Sequence, residues 1–80
     1  IDKDAKKRER QIRRSIEDLE QKMGALDDTI AQLEEQLCDP DVFSNHEKAF
    51  TVQTDLDAQK AAHEELEMQW LELNEELETL

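Results

Sequence analysis

The sequence predicts an all-α fold, an antiparallel two-helix coiled-coil hairpin, and three observations carry that expectation. Eight apolar residues, Ile12, Ile16, Leu19, Met23, Leu26, Ile30, Leu33 and Leu37, recur at alternating steps of four and three. A second stripe of the same period runs through Val52, Leu56, Gln59, His63, Leu66, Trp70, Leu73, Leu77 and Leu80. Between them stands the only proline, Pro40. A seven-residue repeat sets each stripe on one seam of a helix under-wound to meet a partner. A proline between two seams breaks the rod, so that one half can fold back on the other.

Composition supports the same class. With 40% charged residues, one glycine and 4% aromatics, the chain fits long helices and argues against a sheet protein. It opens at Ile1 without an initiator methionine and is read as a fragment of a longer protein. It has no apolar run near the ~18 residues of a membrane span and no signal-peptide pattern, so the expected location is the cytoplasm, with no membrane partner.

The first helix is expected from about residue 3 to 37, close to 50 Å at ~1.5 Å per residue. Its interior is rich in good helix formers, and Gly24 is its one weak point. Two readings of Gly24 stand: close backbone approach to the layer of Ala61 and Ala62, or a tolerated glycine costing ~1 kcal/mol relative to alanine.

Pro40 disfavours a helical backbone at Asp39, which ends the helix near Leu37 or Cys38. The hinge, residues 38–44, is carried by Asp39, Pro40, Asp41, Phe43 and Ser44. Cys38 is expected to be a small buried hydrophobe, because Asp39 and Asp41 oppose a thiolate. Ser44 is expected to cap the second helix, with Glu47 three positions on completing a capping box, and Phe43 to cover the open end of the seam. The second helix then runs from about 45 to 80. So short a link leaves no room for a parallel return. A hinge centred near Asp41 sets Trp70 near Ile12 and Ile16, and His63 near Leu19 and Met23.

Residues that suggest chemistry have structural explanations. His63-Glu64-Glu65-Leu66-Glu67 begins like a zinc-protease helix, but the required second histidine is Glu67. His63 instead sits in the seam, where one polar side chain fixes register. A calcium loop starting at Asp39 would need an oxygen donor at Phe43, glycine at Ser44 and glutamate at Phe50, and each fails. Asp39, Asp41, Asn45 and Glu47 are therefore turn and capping groups, and His46 is expected in solvent. With no phosphate loop, nucleophile elbow or catalytic histidine cluster, no catalytic residue, metal site or cofactor is expected in the chain itself.

The net charge of −12 is unevenly spread. Residues 3–14 hold seven cations against two carboxylates, whereas residues 61–80 hold seven glutamates and no lysine or arginine. With Ile12 and Leu19 at d and Ile16 at a, Lys6 and Arg13 fall at e and Arg8 at g, flanking the seam. Arg13 is then expected to face Glu67, and Arg8 to face Glu76. Lys3, Lys7, Arg10 and Arg14 fall at b and f, one stripe turned away from the second helix. That stripe can reach a phosphate backbone without giving up an internal partner. The competing reading is a solvated basic face, and the glutamates of the second helix oppose a polyanion at low salt.

The basic lead-in from Lys6 to Arg14, the first heptad run, the hinge Asp39-Pro40-Asp41-Val42-Phe43-Ser44 and the late Trp70-Leu71-Glu72-Leu73 give the chain a family likeness. It resembles the C-terminal coiled-coil domain of bacterial ABC-F ATPases, soluble ATP-binding cassette proteins of the Uup type. The resemblance implies a parent with two ATP-binding cassettes and no transmembrane domain, in which ATP is bound and hydrolysed outside this fragment. It implies a terminal hairpin, partnered by the parent's ATP-binding domains, that helps engage DNA or ribosomal RNA. Only the basic lead-in carries that role onto this sequence, and the overall acidity departs from a strong DNA binder. The alternative function is a structural or protein-interaction coiled coil with weak self-association, since two helices bury little surface.

Overall fold

The computed structural model describes residues 3–80. Helix α1 spans Lys3–Leu37, α2 is a single turn at Pro40–Phe43, and α3 spans His46–Glu78. The α1 and α3 helices pack along their length, with α2 touching both at the hinge. The result is a rod of 65 × 14 × 13 Å, an antiparallel helical hairpin.

Every seam residue of α1 from Ile12 to Leu37 is buried or half-buried, as are Val52, Leu56, Gln59, His63, Leu66, Trp70, Leu73 and Leu77 of α3. Among the described residues only Ile12, Leu19 and Leu56 are buried rather than half-buried. Two helices cover each seam from one side, so most knobs keep an edge in water. Leu80 lies beyond α3 and is exposed, contrary to its place in the heptad pattern.

The hinge differs from the loop that the sequence suggested, because its residues form a helical turn of their own. The amides of Cys38 and Asp39 close α1 by donating to the carbonyls of Glu35 and Gln36. Asp39 is extended (φ −75°, ψ 125°) and accepts from the amide of Asp41 at 2.9 Å, capping α2. Pro40 occupies the first turn, where a missing N–H is no loss. Ser44 then ends this turn rather than starting α3. Its backbone is helical (φ −81°, ψ −11°), and both its amide and its hydroxyl donate to the Pro40 carbonyl. An N-cap needs an extended backbone, so the role passes to Asn45 (φ −108°, ψ 109°), whose side chain accepts from the Lys48 amide at 3.2 Å.

Two further expectations are corrected at the hinge. Cys38 is exposed, because it follows the last residue of α1 and is turned off the seam that Leu37 occupies. Phe43 does not cover the seam and is 60% exposed, while Val42 is the half-buried residue of α2. Gly24 is resolved in favour of a tolerated glycine, since a Cβ built there meets nothing within 4 Å.

Candidate nucleic-acid interface

Register decides which cations are free, and two polar rungs one heptad apart fix it. His63 Nε2 lies 3.0 Å from an Asp27 carboxylate oxygen. Trp70 Nε1 donates to Glu20 Oε1 at 3.1 Å. Trp70 thus meets α1 closer to the hinge than the Ile12–Ile16 layer, and His63 keeps Met23 as a neighbour but reaches Asp27. The offset follows from side-chain direction. Helical side chains lean toward their own N-terminus, which is away from the hinge on α1 and toward it on α3. Each α3 residue therefore meets an α1 residue nearer the hinge than backbone heights alone suggest.

The same offset reassigns one of the expected ion pairs. Arg8 and Glu76 do pair, at 2.7 Å, through two long side chains. Arg13 does not face Glu67. It bonds Glu9 on its own helix, at 3.0 and 3.1 Å, whereas Glu67 lies beside Glu20, Met23, Asp27 and Trp70.

Lys3, Lys7, Arg10 and Arg14 are all exposed on α1. The four ion pairs formed among the described residues involve none of them. Helical spacing sets them on one side over about 16 Å of axis. Lys6, expected to flank the seam, is also exposed and takes part in none of those pairs. It borders a shallow groove with Glu9, Arg10 and Arg13. A heptad position places a cation beside the seam but does not decide whether a carboxylate across it comes within reach.

Opposite lies the acidic surface of α3, where Glu64, Glu65, Glu72 and Glu75 are exposed. The rod is 13–14 Å across at its backbone and outward side chains reach farther, so charges on its two outer faces stand farther apart than the ~8–10 Å Debye length near physiological salt. At that ionic strength the basic stripe acts as a local surface, and at low salt the whole-chain charge of −12 is felt.

Among the described residues no group of three or more histidine, cysteine, aspartate or glutamate side chains is placed to hold a metal ion. Nor, among those residues, is any helix long and apolar enough to cross a membrane. His46 is exposed, and His63 is taken up by the register contact.

No curated protein and no solved structure matches the chain. A family model described as the ABC transporter C-terminal domain does, over residues 7–75, which takes in most of the basic lead-in, the hinge and the Trp70 segment. The match covers nearly all of both helices, and the chain belongs to the ABC transporter C-terminal domain family.

Proposed function

We propose that this C-terminal domain is a non-catalytic arm of an ABC-F-like ATP-binding protein and engages nucleic acid, DNA or ribosomal RNA, through Lys3, Lys7, Arg10 and Arg14. The observation that supports the reading most directly is the exposed, outward-facing stripe whose members join no ion pair among the described residues. Lys6 extends it. On this reading ATP is bound and hydrolysed by the cassettes of the parent, a cytoplasmic protein, and the hairpin contributes contacts alone.

The contacts are to the phosphate backbone, because lysine and arginine on a convex helix face neutralise phosphates without reading base edges. Reversing the four charges to glutamate in the full-length protein should weaken binding of duplex DNA or structured RNA. It should also flatten the dependence of log K on log salt by about 3 to 4, at ~0.7–0.9 per neutralised phosphate. Titrations at several salt concentrations measure both quantities, and an unchanged affinity and slope would remove the assignment.

A second reading, a protein-interaction coiled coil with weak self-association, is favoured by the exposed Met68 and Leu71 on the outer side of α3. Sedimentation over a concentration range tests it, and a monomer throughout excludes self-association.

A further inference from the structure

The hinge end of the rod carries the two most exposed aromatic side chains among the described residues, Phe43 at 60% and Phe50 at 68%. Neither is needed by the seam, which closes at this end on Leu37, Val42 and Val52. Two exposed aromatics of this size at one end of a rod mark an interaction surface. A groove of about 430 Å³ bordered by Gln36, Val42, Glu47, Lys48, Thr51 and Val52 shares Glu47 and Thr51 with the surface that Phe50 lines. The backbone beneath is held in place, with Asp39 and Asn45 capping the two helices and Ser44 bonding back to Pro40. Phe43 is thus presented on a fixed turn and Phe50 on the start of α3, which lowers the entropy cost of binding.

Charge narrows the occupant. Asp39, Asp41 and Glu47 surround the tip and are all exposed, with Lys48 the one full cation nearby. An anionic bilayer or a nucleic acid would be repelled by these carboxylates. A second copy meeting tip to tip would oppose each aspartate with its own kind. A protein surface with an apolar pocket rimmed by lysine or arginine satisfies both the rings and the carboxylates.

We propose that the hinge tip is a protein-docking surface in which Phe43 and Phe50 are anchors inserted into an apolar pocket with a basic rim on a partner protein. The tip stands about 50 Å from Lys3, given ~1.5 Å per residue along α1. The domain then has two working ends, with basic side chains at one and aromatic ones at the other. This surface is independent of the nucleic-acid assignment.

Site-specific photocrosslinking in cells tests it. The full-length protein would carry benzoylphenylalanine at position 43, at position 50, or, as a control away from both rings, at the exposed Gln32 of α1, and the crosslinked peptides would be sequenced. Positions 43 and 50 should both capture the same protein segment, at apolar residues neighboured by lysine or arginine, at least tenfold above Gln32. Asp41→Lys combined with Glu47→Lys should lower that yield tenfold or more with the helical circular dichroism retained. If that variant loses helicity, Asp41→Asn with Glu47→Gln should lower it about threefold. The proposal fails if yields equal the Gln32 background, if the captured molecule is a second copy, lipid or nucleic acid, or if a folded charge variant leaves the yield unchanged.

Discussion

Individual residues in this hairpin are judged by whether the seam, a cap or the solvent claims them. Gly24 is claimed by none: it lies inside α1, exposed, with nothing near the place a methyl group would take. Gly24→Ala should therefore stabilise the domain by ~1 kcal/mol through helix propensity and a less flexible unfolded chain. For a domain of this size that is a rise in Tm of about 4–8 °C, readable by thermal circular dichroism. His63 and Trp70 show the reverse case, polar atoms kept in a seam because each finds a carboxylate one heptad from the other. The place of His63 was legible in the sequence as a break in an apolar stripe. Its partner was not, since period alone gives the face of a helix but not the lean of the side chains across the gap.

At the scale of elements, the helices were legible and the turn between them was not. Repetition over many heptads specifies a face strongly, whereas three neighbouring residues, Asp39, Ser44 and Asn45, compete for the same capping chemistry. Sequence favoured Ser44 for α3 because Glu47 completes a familiar box. Local geometry favoured Asn45, because Ser44 is already engaged in ending α2. The two substitutions should separate accordingly. Asn45→Ala removes the acceptor for the Lys48 amide at the start of α3 and should cost ~1 kcal/mol. Ser44→Ala, which deletes only a hydroxyl bonded to a carbonyl within α2, should cost less than half as much. Urea titrations of the two variants against the parent domain give the order, and a larger loss for Ser44→Ala would restore the capping box.

For the molecule as a whole, the shortage of fully buried residues matters most. Among the described residues three apolar side chains, Ile12, Leu19 and Leu56, form the buried part of the core. Full burial of such a side chain contributes ~1.5–3 kcal/mol, and truncation to alanine in a packed core costs ~2–5 kcal/mol. Leu56→Ala should therefore remove a large share of the stability of so small a domain, lowering the urea midpoint far more than the same change at the half-buried Leu66. The candidate site was legible at this scale as a basic lead-in on an acidic chain. What could not be read was which cations the fold would use up, because Arg13 turned to Glu9 and left Glu67 elsewhere. The aromatic tip was hidden for a related reason: a phenylalanine next to a seam reads as part of it until the turn that rotates it outward is known.

The antiparallel arrangement also sets how the rod responds to force. Lys3 and Glu78 lie at the same end, opposite the hinge. A pull between them acts across the seam rather than along it, so rungs open in sequence instead of sharing the load. The Arg8–Glu76 pair would part first, then the Ile12 layer, then Trp70 from Glu20 and His63 from Asp27. The hinge turn would be the last to feel the strain. A tug transmitted through the ends would thus separate the basic stripe from the acidic helix behind it while the far tip kept its shape, making the hairpin a zipper with its slider at the charged end.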